Sequence, residues 1–322
     1  MDARLKSFPQ EFLDLLPKIF PPGQLSNIYK SLLTPKPTTI RINTLKTTPD
    51  KILNIFRKNK IVFTKDGFLP NCFYLQGLSQ KKLSGLACFQ QGEIYLQNTS
   101  SQLPPHALNL QPGDLVLDLC ASPGSKTTQM AALMKNKGHI TALEPDKIRF
   151  DRLCHNTSLL GCENVTLKPL RAQAYYNSFS ETAPPLFDKI LVDVPCSGNG
   201  TFYINDRSGF RHYSDDFVCS KSKLQQKILT IALRLLKKGG LACYATCSLS
   251  PEENEIVLNN VLSKEKNIVV VPVEKFLKFP FVHPGLSKWN GCSFSKNISQ
   301  NSLRIYPSSY HEGFFLSLLK KV

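Results

Sequence analysis

From Leu115 to Glu255, short apolar runs alternate with turns and helical stretches, and this alternation limits the possible folds more than any other feature of the chain. LVLDLC (115–120) passes through a Gly/Pro turn into a helix expected over 126–134. HITALE (139–144) precedes a helix over 146–160, followed by NVTLK, KILVDVP, a long helix over 221–236, LACYATC and a helix after Pro251. Strands that alternate with helices pair in parallel, because each crossover helix packs back on the sheet and covers a face. In such α/β sheets, ligands bind beyond the carboxyl ends of the strands. Residues that carry chemistry are therefore expected just after each strand.

Upstream, residues 1–33 read as two short amphipathic helices broken at Pro21-Pro22-Gly23. A β-rich run from Thr38 to Asn43, a helix starting near Pro49-Asp50 and a strand over 61–63 make a small α+β module. Residues 88–112 read as a connector ending in the turn Gln111-Pro112-Gly113-Asp114. Two domains are expected: 1–100, the helical and α+β module with its linker, and 101–322, the larger α/β domain.

The 322 residues are 42% hydrophobic and 20% charged, a balance that belongs to globular chains rather than disordered ones. No apolar run approaches the roughly 18 residues of a membrane helix, and the N-terminus lacks the basic-then-apolar layout of a signal peptide. Both point to a cytoplasmic protein with no membrane partner. The ten cysteines are scattered and include no CxxC pair, so no metal site is implied. A monomer is the simplest expectation. The formal net charge is +16. Residues 1–100 hold 14 Lys and Arg against 6 Asp and Glu, and the remaining 222 hold 26 against 18, so positive charge is denser at the N-terminal end. Such an excess favours a polyanion, nucleic acid first, through counterion release. Arg41, Lys46, Arg57 and Lys58 are the candidate contacts on charge alone.

The turn after the first α/β strand, SPGSKT (122–127), superficially resembles a phosphate-binding loop, but GxxxxGK[ST] needs glycines where this chain has Cys120 and Ser125. GxGxxG is also absent. What remains is a tight turn at Gly124 ahead of a helix N-terminus, with Lys126 as an added cation, able to hold a small carboxylate. Glu144, ending the next strand, is placed to accept hydrogen bonds from ribose hydroxyls. In that order the two features favour an adenosine-type cofactor.

Two later strands each end in a turn with a cysteine, Cys196 and Cys247. Ser250-Pro251-Glu252-Glu253 reads as a capping box with proline at the first helical position, which sets Cys247 just before a helix N-terminus that favours thiolate. The plain alternatives are a small turn residue after proline for Cys196 and a buried strand-end thiol for Cys247, while a thiolate beside a cofactor site suits covalent catalysis. Carbon 5 of cytosine becomes nucleophilic when a thiolate adds to carbon 6, and an acid near N3, here Asp193, helps the addition.

DLCASPGSKT (118–127), LVDVPCSGNGT (191–201) and YATCSLSPEENE (244–255) together resemble the motifs of the Sun/Fmu-type RNA cytosine-5 methyltransferases. TTIRINTLKT (38–47) is similar to the start of that family's N-terminal RNA-binding module, GEIYLQNTSSQLPPHAL (92–108) to its linker, and RIYPSSYHEGFFLSLLKK (304–321) to its closing hairpin. The resemblance implies a Rossmann-like class I methyltransferase with a mostly parallel seven-stranded sheet, using S-adenosyl-L-methionine on tRNA or rRNA. It implies Cys247 as nucleophile, Cys196 assisting product release, and Asp193 shared between cofactor and target base. Cys120, Ala121, Ser122, Pro123, Gly124, Ser125 and Lys126 would hold the methionine part of the cofactor, Glu144 the ribose, with Asp146 and Arg149 near ribose and adenine. Ser122 and Ser125 stand where the family has alanine and glycine, and Arg171 stands where an aspartate usually meets the adenine. The alternatives are a methyltransferase acting on DNA, which would use Cys196 as nucleophile, or on another RNA position, an inactive RNA-binding protein, and a small-molecule methyltransferase.

Overall fold

The computed structural model describes all residues except Met1, Ser79, 180–182 and Phe276. Met1, where the expected N-terminal helical segment begins, thus lies outside the described residues. The chain forms two compact units: one of residues 1–36, 192–234 and 241–322, the other of 37–191 and 235–240. Compactness therefore groups residues 1–36 with the C-terminal part of the chain.

The first unit opens with helices α1 (Gln10–Ile19) and α2 (Pro22–Leu33). The expected break is present, and Pro22 opens α2 because its missing N–H costs nothing at a first helical turn. The second unit begins with β1 (Thr38–Ile42), α3 (Pro49–Lys58), β2 (Val62–Lys65) and β3 (Cys72–Gln76), then two short helices, α4 (Gln80–Ser84) and α5 (Ala87–Gln90). Next come β4 (Ile94–Leu96) and α6 (Thr99–Ala107). The small sheet runs β2-β3-β1-β4, all antiparallel, with Ile40, Ile42, Ile52, Phe56 and Phe73 buried beneath it. The expected connector is thus structured: its Ile94 pairs with Ile42 as part of the edge strand.

The same unit continues with β5 (Leu115–Asp118), α7 (Ser125–Leu133), β6 (His139–Leu143), α8 (Lys147–Leu159), β7 (Val165–Lys168), α9 (Ala172–Asn177) and β8 (Phe187–Asp193). These strands pair in parallel in the order β8-β5-β6-β7, as the alternating pattern implies. Val116 and Leu117 of β5, Ile140 and Leu143 of β6 and Ile190 to Val192 of β8 are buried, as expected of strands covered on both faces.

The first unit resumes with α10 (Asp215–Leu235), which starts six residues before the expected Lys221, and β9 (Leu236–Thr246). After it come α11 (Glu255–Leu262), β10 (Ile268–Val271), the short β11 (His283–Pro284), β12 (Lys288–Trp289) and β13 (Cys292–Ser293), then α12 (Lys296–Asn301), β14 (Leu303–Ile305) and β15 (Phe314–Lys321). The closing hairpin forms as expected, with Leu303 opposite Leu316, and β15 pairs antiparallel with β9 on its other side. Around α1, the rings of Phe12, Phe202, Phe210 and Tyr213 pack at 4.8 to 5.9 Å. The N–H of Ile204 donates to the Leu32 carbonyl at 3.0 Å, so the N-terminal helices are fixed to the segment after Cys196. Among the described residues no helix is long and apolar enough to cross a membrane.

Candidate active site

In the second unit, the turn after β5 is held from within and from α8. The buried Asp118 carboxylate accepts from the Thr127 hydroxyl at 2.7 Å and from the Cys120 N–H at 3.4 Å, closing the loop on α7. Gly124 precedes α7 at φ +102°, a conformation that disfavours any Cβ, and a Cβ there would lie 3.1 Å from Leu153. Ala121 packs with Ala142 and Leu153. Asn156 of α8 donates to the Pro123 carbonyl at 2.7 Å. Cys120 through Lys126 therefore form one rigid turn, with Lys126 itself buried.

Glu144, Asp146 and Arg149 meet at the end of β6. The buried Glu144 carboxylate accepts from the Asp146 N–H at 3.0 Å and pairs with Arg149 at 3.2 Å. Arg149 also donates to the Ser122 carbonyl at 3.2 Å, while the Ser122 hydroxyl donates to the Arg149 carbonyl at 2.8 Å. Asp146 caps α8 by accepting from the Arg149 N–H at 2.9 Å. Asp146 and Arg149 thus orient Glu144 and tie it to the Ser122 turn. Each Glu144 oxygen carries one of these bonds, and a carboxylate oxygen accepts two. The set fits a ligand with a diol beside a carboxylate. Arg171 is exposed and precedes α9.

In the first unit, Cys196 and Cys247 come together with sulfurs 3.2 Å apart. Asp193 ends β8 three residues before Cys196 and is half-buried. The hydrogen bond with Cys247 and then burial push the Cys196 thiol well above its ordinary range. At neutral pH Cys196 therefore keeps its proton and can donate it to the Cys247 sulfur.

The two loops are joined by Glu253, which sequence reasoning missed. Its buried carboxylate accepts from the Ser197 N–H at 2.8 Å, the Ser197 hydroxyl at 2.5 Å, the Ser248 hydroxyl at 2.5 Å and the Gln225 amide at 2.9 Å. Burial raises its pKa, and the hydrogen bonds from Ser197 and Ser248 oppose that. Asn199 accepts from the Leu249 N–H at 2.6 Å and donates to the Ser250 hydroxyl at 2.8 Å, adding a second clasp. The available signal was the pair of Cys-Ser dipeptides, each followed at a distance by the same acid-rich run.

That run corrects the capping-box expectation. Residues 251–253 form a single turn of 3₁₀ helix, Ser250 makes no side-chain cap, and the α-helix starts only at Glu255. A three-residue turn supplies little dipole, so the helix-terminus argument for a Cys247 thiolate falls away. Instead each residue from Glu252 to Glu255 takes a distant partner. Glu252 accepts from the Trp289 indole at 2.6 Å, Asn254 accepts from Thr246 at 2.6 Å, and Glu255 forms a buried pair with Arg304 at 2.5 Å. Arg304 also donates to the Leu249 carbonyl at 2.8 Å. Close backbone approach finishes the site: the Gly200 N–H donates to the Cys247 carbonyl at 3.0 Å, and a Cβ on Gly200 would fall 2.3 Å from the Gly313 carbonyl oxygen.

The charge-based contacts divide. Lys46, Arg57 and Lys58 are exposed. Arg41 is buried instead, its guanidinium donating to Gln97 at 2.9 Å and to Thr128 of α7 at 3.0 Å. Burial lowers its pKa to about 10, still well above neutral, so it is a charged strut between the small sheet and α7 rather than a surface contact.

Residues 105–320 match the family described as 16S rRNA methyltransferase RsmB/F. The chain is 32% identical over 321 residues to a ribosomal RNA small subunit methyltransferase F of Vibrio cholerae, covering 98% of this chain and 64% of that protein. It is 31% identical to the 26S rRNA (cytosine-C(5))-methyltransferase nsun-1 of Caenorhabditis elegans, over 97% of this chain and 46% of that protein. The solved structure of a methyltransferase homolog protein from Pyrococcus horikoshii is 30% identical and superposes with a TM-score of 0.83, each chain covered in full. The chain spans about three fifths of the length of the curated relatives it matches. Its fold is the mixed α/β Rossmann-like methyltransferase sheet with a small antiparallel N-terminal sheet. On the family match and this agreement in fold, the chain belongs to the RsmB/F family of 16S rRNA methyltransferases.

Proposed function

We propose that the protein methylates carbon 5 of a cytosine in RNA, with S-adenosyl-L-methionine as donor, through a covalent bond between Cys247 and carbon 6. The observation that carries this reading is the pair of thiols 3.2 Å apart on loops clasped by one buried carboxylate. The names of the relatives favour ribosomal RNA over tRNA. We further propose that residues 1–100 serve RNA binding and 101–322 catalysis, and that the protein works in the cytoplasm as a monomer.

The cofactor supplies an electrophilic methyl group. The turn from Cys120 to Lys126 holds its amino-acid end and Glu144 its ribose hydroxyls, while Asp146 and Arg149 keep the Glu144 carboxylate in place. Cys247 adds as thiolate to carbon 6, and Cys196, protonated beside it, steadies the sulfur's negative charge by hydrogen bonding. Asp193 acts at N3 as the ring gains electron density. Once carbon 5 bears the methyl group, a water molecule takes the carbon 5 proton. The electron pair re-forms the double bond between carbon 5 and carbon 6 and expels Cys247 as thiolate, and Cys196 assists this release by donating its hydrogen bond to the departing sulfur.

The test is transfer of labelled methyl to total RNA by wild type, Cys247→Ala and Cys196→Ala, with denaturing gels for protein–RNA adducts. Expected are transfer by the wild type, none by Cys247→Ala, and a persistent adduct with Cys196→Ala. Formation of 5-methylcytosine by Cys247→Ala would exchange the two roles, and no transfer by the wild type would leave an RNA-binding protein.

A further inference from the structure

A groove of about 450 Å³ lies between α2, residues 280–283 and the turn of the closing hairpin, all within the first unit. Phe281, His283, Tyr306 and His311 line it with Lys30 and Asn27, and none of the lining residues is Asp or Glu. The rings brace one another. His283 stacks on Tyr306 with centroids 3.7 Å apart and planes within 13°, and Tyr306 meets the edge of Phe20 at 4.6 Å. Phe281 packs on His311 at 4.8 Å and on Phe279 at 5.5 Å, yet remains 48% exposed. Burial lowers the His283 pKa, so at neutral pH it is an uncharged flat ring. Pre-packed rings left open to water beside a cation, without an acid, suit a flat π-system attached to an anion.

The hairpin turn that forms one wall is fastened at both ends to the loop of Cys247. At one end Arg304 donates to the Leu249 carbonyl at 2.8 Å. At the other the Gly313 N–H donates to the Gly200 carbonyl at 2.8 Å, and the Gly200 N–H donates to the Cys247 carbonyl at 3.0 Å. The groove is thereby held in fixed register with the nucleophile proposed above.

We infer that this groove seats an unpaired RNA nucleotide neighbouring the target cytosine, with its base stacked on Phe281 and the His283–Tyr306 pair and its phosphate met by Lys30. The inference rests on the proposed RNA cytosine activity and adds to it a place for the flanking strand. Sequence-specific and single-strand RNA recognition works in this way, on splayed bases stacked against aromatic rings. Because every base has a π-face, the groove should tolerate any of the four.

The experiment measures anisotropy of a fluorescein-labelled, mixed-sequence single-stranded RNA with the full chain, at several salt concentrations, beside kcat and KM for methyl transfer to total RNA. Phe281→Ala and Lys30→Glu alter exposed side chains, and Leu224→Ala, an exposed apolar side chain of α10 outside both the groove and residues 1–100, is the control. Phe281→Ala is expected to weaken binding about tenfold, the size of one lost base stack, with the loss in KM more than in kcat. Lys30→Glu should weaken it severalfold and flatten the salt dependence, and Leu224→Ala should match the wild type. If Phe281→Ala and Lys30→Glu bind and methylate as the wild type does, the groove assignment is overturned while the activity stands. A wild type that neither binds nor methylates RNA overturns both.

Discussion

The turn proposed to hold the cofactor and the loops that carry the cysteines are both rigid, by different means. Around Gly124 rigidity comes mostly from the backbone, with one buried carboxylate, Asp118, closing the loop on α7: a left-handed glycine, a helix cap, a serine and an arginine exchanging bonds with each other's carbonyls. Around Cys196 and Cys247 it comes from carboxylates with almost no contact with water, Glu253 holding two serines and Glu255 holding Arg304. A cofactor of constant shape needs only a constant mould. Two thiols that must neither separate nor oxidise together need their spacing dictated from outside, and a buried carboxylate does this because its desolvation is offset only while all its donors stay in place.

The difference implies that the cysteine loops fail more abruptly than the cofactor turn. The largest effect is expected from Arg304→Leu, which strands the Glu255 carboxylate in the core: a loss of about 3–5 kcal/mol by denaturant unfolding. Glu253→Gln follows, at about 2–3 kcal/mol, since an amide cannot accept from all four donors. That gap should also depend on pH. Burial raises the Glu253 pKa, so its contribution is fully present below the unfolded glutamate pKa and is lost as pH rises through the folded value. The wild-type advantage over Glu253→Gln is thus greatest in acid.

The cofactor unit should show the reverse sign. Burial, then the neighbouring Arg41 charge, pushes the His106 pKa down to about 4. Its contribution is present above the unfolded value near pH 6.5 and is lost as pH falls through 4, on the order of 2 kcal/mol. Unfolding midpoints of His106→Gln should therefore fall less steeply with acid than those of the wild type. Smallest is Gly124→Ala, about 1 kcal/mol from the left-handed φ and the Leu153 contact, with weaker S-adenosyl-L-methionine binding by calorimetry. Equal losses for Gly124→Ala and Glu253→Gln would erase the distinction between the two regions.

The parallel strands β5 to β8 were legible because their signal is local: a buried strand is a short apolar run, and Gly, Pro or an acid ends it. The three motifs marked the tight turn after β5 and both cysteine loops for the same reason. What escaped the sequence depended on partners far along the chain. Glu253 read as a cap because Ser250 stands three residues before it, while Ser197, its actual partner, is 56 residues away. Arg41 read as a surface cation because nothing nearby in sequence announces Thr128. The strand inside the connector went unread because β4 is three residues long and exists only as the partner of β1.

The buried position of Arg41 bears on any genetic dissection of the basic N-terminal third. In a scan that replaces each cation and scores growth or modification, Arg41→Ala would rank among the strongest hits, and the natural inference would be an RNA contact. Its phenotype would belong to a different class: lower steady-state protein and partial rescue at low temperature, with RNA affinity intact in the molecules that remain folded. Surface cations such as Lys58 would give the complementary pattern, normal abundance with weakened binding. Abundance and affinity therefore have to be scored side by side, or a strut inside the protein will be mapped as part of the proposed RNA-binding face.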